Sequence, residues 1–98
     1  MTIEKILNGE SATLVVCGRL DTLSAPELEK EVDSVTQGLK ELIFDMKGLE
    51  YVSSAGLRVI LKAQKIMNAQ GSMKLTGVND GIMEVFDITG FLDILTIE

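Results

Sequence analysis

Two adjacent serines, Ser53 and Ser54, are the residues of this sequence best placed to do chemistry. They follow an apolar segment and precede a segment of helical periodicity, so we expect their hydroxyls at a helix N-terminus. A serine oxygen there ordinarily accepts a hydrogen bond from a backbone N–H of the first turn, and replacing Ser54 by alanine would then cost about 1 kcal/mol. A phosphoryl group on the same oxygen would meet unpaired N–H groups and the positive end of the helix dipole. The local chemistry leaves both interpretations open, a helix cap or a regulated phosphorylation site.

The other potentially reactive side chains do not form a recognisable catalytic arrangement. The sequence contains no histidine, which excludes Ser-His-Asp and Cys-His nucleophile arrangements. Cys17 lies in a predicted strand, where a free cysteine usually packs as a small apolar residue. Asp45 ends another predicted strand, and we expect it to cap a turn rather than to act as an acid or base. No glycine-rich phosphate loop is present. These features favour a binding protein over an enzyme.

The charge balance limits the class of partner. The chain has 9 Lys plus Arg against 15 Asp plus Glu, a net charge of −6, which argues against binding a nucleic-acid backbone. The N-terminus lacks the basic region and long apolar run of a signal peptide, and no apolar run is long enough to span a bilayer. One cysteine cannot form an internal disulfide. We therefore expect a cytoplasmic protein with no nucleic-acid or membrane partner.

The elements that must position the serines follow from hydrophobic periodicity. The order is β-β-α-β-α-β-α-β, which predicts an α/β domain with a mixed sheet of about four to five strands and helices mainly on one face. An unbroken apolar centre in the third strand predicts burial on both of its faces. Ser24 is the predicted N-cap of the first helix, with Glu27 completing a capping box. The strands are predicted at 3–7, 12–18, 41–46, 72–78 and 91–97, the helices at 24–38, 53–69 and 79–90, and a connection at 47–52.

The segment from 42 to 61, LIFDMKGLEYVSSAGLRVIL, resembles the signature of STAS domains. It is most similar to that of the stand-alone bacterial anti-sigma factor antagonists. The residues at 18–22, GRLDT, and at 85–91, VFDITGF, extend the resemblance over nearly the whole chain. The resemblance implies a single STAS domain over residues 1–98.

The resemblance also implies a partner-switching role. In that family the unphosphorylated protein binds an anti-sigma factor, which is a serine kinase, and so releases a sigma factor. The kinase uses ATP to phosphorylate a serine in the motif Asp-Ser-Ser/Thr-Gly-Leu, and a serine phosphatase reverses the step. Alignment on Gly56-Leu57 places the acceptor at Ser54, with Ser53 in place of the Asp and Ala55 at the Ser/Thr position. Ser53 is the second choice of acceptor, and no cofactor is implied because ATP would belong to the kinase.

The family's binding surface includes the loop before the first helix and the start of the second. Two questions stay open. Asp21 and Thr22 either contact the kinase or belong to a turn in which Asp21 bonds its own backbone. Arg58 and Lys62 either meet an acidic or phosphate-bearing partner or form a solvated helix face. A second class of function is a constitutive interaction module of a lipid-transport or sensory complex, in which Ser54 only caps a helix. The predicted contact residues are Asp21, Thr22, Ser53, Ala55, Gly56 and Arg58.

Overall fold

The computed structural model describes all 98 residues, and its elements follow the predicted order as far as the third helix. The chain begins with a hairpin and then alternates helices with strands. The elements are β1 (Thr2–Asn8), β2 (Ser11–Leu20), α1 (Ala25–Val35), β3 (Glu41–Val52), α2 (Ser54–Gln70), β4 (Ser72–Thr76), α3 (Asp80–Ile88) and a short 3₁₀ turn (Phe91–Asp93).

The four strands form one sheet in the order β1-β2-β3-β4. β1 pairs antiparallel with β2, whereas β2 with β3 and β3 with β4 are parallel, so the predicted mixed sheet is confirmed. Alternate residues of β2 and β3 are buried, and they share one core with the buried residues of all three helices. The apolar stripe of α2 lies in this core and consists of Leu57, Ile60, Ala63 and Met67, which recur at helical spacing.

The third strand differs from its prediction in two ways. Only alternate residues such as Leu42 and Phe44 are buried, while Ile43 and Asp45 are partly exposed, so burial on both faces is wrong. The predicted connection at 47–52 is also wrong, because β3 continues to Val52 alongside β2. The pairing shifts register twice along this stretch, which breaks the alternation by which a strand is recognised in a sequence.

The last apolar segment is not a strand. Gly90 has a φ of 80° and ends α3, after which the chain forms a 3₁₀ turn. The last three residues then reach the sheet, where Ile97 forms a single parallel bridge to Leu75 of β4 through backbone hydrogen bonds of Thr96 and Glu98. Leu95 is buried in the core while Leu92 and Ile94 remain exposed, so the segment contributes to the core without forming a strand.

Candidate functional site

The carboxyl ends of β2 and β3 bring the two predicted contact segments together. Parallel strands end at the same edge of a sheet, and here Leu20 pairs with Val52, the last residue of each strand. The backbone N–H of Ser53 donates to the carbonyl of Leu20 at 2.8 Å, which ties the start of α2 to the end of β2. The loop beginning at Asp21 therefore lies beside Ser53 and Ser54, although more than thirty residues separate them in sequence.

Gly56 allows the first turn of α2 to approach β2 this closely. A Cβ atom at this position would lie 2.6 Å from Cγ of Leu20 and 3.0 Å from Cγ2 of Val52, both closer than van der Waals contact permits. Gly56 is itself buried. The structure thus gives this glycine a packing role, and its part in partner binding stays a prediction.

Ser53, not Ser54, caps the helix. Ser53 has extended backbone angles, and its Oγ accepts a hydrogen bond from the N–H of Gly56 at 3.3 Å. Ser54 is the first helical residue; its side chain is exposed, and its hydroxyl forms no hydrogen bond within the chain. The expectation that Ser54 is the cap is therefore wrong: a cap residue lies just outside the helix, and β3 delivers Ser53 to that position.

Asp21 organises the loop before α1. Its Oδ1 accepts hydrogen bonds from the N–H groups of Leu23 at 3.0 Å and Ser24 at 3.1 Å. These bonds, with that of the Ser24 backbone foremost, lower the pKa of Asp21 below its ordinary value, although some desolvation opposes them. The structure thus contains the turn in which Asp21 bonds the backbone, and the role of Asp21 as a partner contact stays a prediction.

The predicted side-chain cap at Ser24 is wrong. Ser24 has helical backbone angles and makes no side-chain bond to the first turn of α1. Its Oγ instead accepts from the N–H of Asp21 at 2.9 Å and lies 2.7 Å from the carbonyl oxygen of Arg19, within donating distance. The N–H of Ala25 donates to the carbonyl of Asp21, so helical hydrogen bonding begins one turn earlier than the sequence pattern indicated.

This loop presents an apolar side chain that sequence reasoning missed. Leu23 is 91 % exposed, the highest value among the large apolar residues exposed at the surface. Its backbone is held by the hydrogen bond to Asp21, so the side chain is displayed from a fixed turn. The available signal was its position five residues before Leu28, which places it off the apolar stripe of α1.

A shallow cleft of about 250 Å³ lies between the first turns of α1 and α2. It gathers three of the predicted contact residues, Thr22 from the loop and Ala55 and Arg58 from α2. The remaining lining residues are Ala25, Pro26, Glu29 and Val59.

The two cations on this side of α2 have different surroundings. Lys62 forms ion pairs with Glu29 and Asp33 of α1, each at 3.0 Å, and hydrogen bonding to Glu29 and then Asp33 raises its pKa. Arg58, one turn nearer the N-terminus, is exposed and forms no ion pair or hydrogen bond. The predicted row therefore consists of one cation bound to α1 and one whose charge is free.

A second pair of exposed side chains flanks the site and was also missed. The guanidinium of Arg19 lies 4.2 Å from the centroid of the Tyr51 ring, a cation–π contact between the carboxyl ends of β2 and β3.

None of the helices has both the length and the apolar character needed to cross a membrane. No cluster of three or more potential metal-ligating side chains is present.

The comparison with protein families identifies the class. The model of the STAS domain family matches residues 3–98, so the chain belongs to the STAS domain family, and the resemblance seen in the sequence is confirmed. Among its relatives, it is 35 % identical over 101 residues to BtrV of Bordetella bronchiseptica, a candidate anti-sigma factor antagonist, covering 99 % of this chain and 84 % of BtrV. It is 32 % identical over 83 residues to the anti-sigma-B factor antagonist of Bacillus subtilis, covering 84 % and 76 % of the two chains.

Solved structures share the fold. An anti-sigma factor antagonist from Mycobacterium paratuberculosis superposes with a TM-score of 0.89 at 18 % identity, covering 98 % of this chain and 83 % of that one. The unphosphorylated form of the antagonist SpoIIAA superposes with a TM-score of 0.80 at 16 % identity, covering 99 % and 87 %. At these identities the likeness establishes the α/β architecture and nothing finer.

Proposed function

We propose that this protein is an anti-sigma factor antagonist that acts in the cytoplasm by partner switching. In its unphosphorylated state it binds an anti-sigma factor serine kinase, which then releases a sigma factor. Phosphorylation at Ser54 ends that binding, and a serine phosphatase restores it. Catalysis belongs to the two partners, and this chain supplies the regulated surface.

The observation that carries the proposal is the state of the Ser54 hydroxyl. It is exposed, it makes no hydrogen bond, and it lies at the first residue of α2 beside the loop that displays Leu23. Because Ser53 supplies the cap, a phosphoryl group on Ser54 leaves the helix start intact. The group adds about −1.5 to −2 charge at the centre of the predicted contact surface. The modification therefore blocks docking by charge and bulk without unfolding the domain.

The serine at position 53 is compatible with this role. The family motif has Asp before the acceptor, and Asp and Ser cap helices about equally well. Since Ser53 does accept a hydrogen bond from Gly56, the departure from the motif preserves the start of α2. The names of the relatives support antagonism of an anti-sigma factor, and SpoIIAA, a distant structural neighbour, has also been solved in a phosphorylated form.

The test is calorimetric binding to the anti-sigma factor kinase of the same organism. We expect the parent protein and Ser54→Ala to bind, and Ser54→Asp to lose binding. Adding Mg-ATP should release the parent but not Ser54→Ala, and phosphopeptide mapping should place the phosphate on Ser54. Ser53→Ala tests the second choice of acceptor: it removes the neighbouring hydroxyl and keeps Ser54, so Mg-ATP should still release it. Unimpaired binding by Ser54→Asp would contradict the switch and favour a constitutive interaction module.

A further inference from the structure

We propose that Arg58 binds the phosphate group in cis once Ser54 is phosphorylated, a role that rests on the proposed function. The two residues are four apart on α2, so they lie one turn apart on the same face of the helix. Long side chains in helices lean toward the N-terminus, which directs Arg58 back over Ser54. Both side chains are exposed, so no packing has to be broken for them to meet.

The charge of Arg58 is uncommitted in the unphosphorylated protein. It has no carboxylate within ion-pair distance, although Glu29 of α1 lines the same cleft. Glu29 is held at 3.0 Å by Lys62, which also binds Asp33. Lys62 is therefore neutralised from the α1 side, and Arg58 is the free cation nearest to Ser54 along the helix.

The surrounding field favours this pairing. The only charged residues of α2 are Arg58, Lys62 and Lys65, so this helix is wholly cationic in a chain of net charge −6. A guanidinium presents two parallel N–H donors that match two oxygens of a phosphate, and such charge-assisted bonds are stronger than neutral ones. A phosphate at residue 54 also interacts favourably with the positive end of the α2 dipole.

The pairing of Arg58 with the phosphate on Ser54, here called the clamp, gives phosphorylation a second effect on the surface. Besides adding negative charge, it withdraws the exposed positive charge of Arg58 from the cleft shared with Thr22 and Ala55. A phosphate held by Arg58 is also less accessible to a hydrolase. We therefore expect the partner to bind the phosphorylated protein more weakly than the charge of the phosphate alone would cause. We also expect the phosphatase to remove the phosphate more slowly.

The test uses the full chain with phosphoserine installed at position 54 during translation, so that no kinase is needed. A ³¹P NMR titration measures the second pKa of the phosphate in the parent, in Arg58→Gln and in Arg58→Lys. We expect that pKa to be about half a unit lower in the parent than in Arg58→Gln, equivalent to about a threefold change in proton affinity. Arg58→Lys keeps the charge and should retain most of the difference.

Lys65→Gln is the matched control, because it removes the same charge from the far part of α2. The other charged groups facing the site are Arg19 at the end of β2, Asp21 in the loop, Glu29 on α1 and Lys62 on α2, and they are the same in every variant. An unchanged phosphate pKa in Arg58→Gln, or an equal shift in Lys65→Gln, would overturn the clamp. Failure of the kinase to modify Ser54 would instead overturn the proposed function, so the two failures are distinguishable.

Discussion

Leu23 provides the sharpest test of the predicted binding surface. Its side chain is 91 % exposed, so almost all of its apolar area is available for burial by a partner. Leu23→Ala removes three carbon atoms, and with about 0.8 kcal/mol for each buried methylene the loss of binding free energy is about 2.4 kcal/mol. That loss corresponds to a Kd about 60-fold higher. Because Asp21 already fixes the backbone of Leu23, the loop loses little conformational entropy on binding, and most of the free energy gained by burying Leu23 contributes to affinity.

The assay is isothermal titration calorimetry against the anti-sigma factor kinase, with urea unfolding of each variant as a check on folding. Leu7→Ala is the matched control. Leu7 is 66 % exposed and pairs with Ala12 near the start of β2, at the opposite end of the sheet from Asp21. We expect Leu7→Ala to bind as the parent does, and both variants to keep the parent stability within about 0.5 kcal/mol.

Two results would refute the reasoning. A Kd for Leu23→Ala within about twofold of the parent would mean that the partner leaves this side chain in water, since even one buried methylene is worth more. An equal loss in Leu7→Ala would mean that the effect is not confined to the loop beside Ser54.

Three further predictions concern the frame of the site. In urea unfolding, Ser53→Ala should lower stability by about 1 kcal/mol and Ser54→Ala by less than about 0.5, because only Ser53 caps α2; equal effects would contradict this assignment. Gly56→Ala should destabilise the protein by about 1 kcal/mol, because an overpacking cost of about 1–3 kcal/mol outweighs a helix-propensity gain of about 0.5–1 kcal/mol. The cost should shrink in a Leu20→Ala background, and an unchanged cost there would show that Leu20 is not the obstruction. The parent should be more stable than Asp21→Asn at pH values above 3.8, the ordinary pKa of Asp, and this advantage should shrink as the pH falls through the lowered pKa of Asp21. An advantage that grows as the pH falls would contradict the lowered pKa.

Much of the fold was accessible from the sequence because it depends on periodicity. The apolar stripe of α2 and the β-branched residues of β2 each favour one element, and the order of strands and helices then predicts a mixed sheet. The extent of β3 was not accessible. Gly48 lies beside Cys17, where a Cβ would approach the sulfur to 2.5 Å, at a shift of register that depends on pairing between distant segments.

The site was predictable in its location and not in its details. The serine pair at the start of α2 stands out in the sequence, but the assignment of cap and free hydroxyl depends on where β3 ends. The exposure of Leu23 depends on the hydrogen bonds of Asp21, and the free charge of Arg58 depends on Lys62 being taken by α1. Each of these is a property of neighbours that the sequence places far apart.

The hydrogen bond from Ser53 to Leu20 affects how the amount of functional protein depends on folding. It joins the two halves of the site across β2 and β3, and a nascent chain that has emerged only as far as α1 contains Leu23 but lacks Ser54 and Arg58. Only the finished fold offers the complete surface. Under the proposed function, the amount of active antagonist is therefore the number of folded molecules rather than the number of synthesised chains. A loss of 1–2 kcal/mol in stability, which can change cellular abundance several-fold, would reset the threshold of the switch without touching a contact residue.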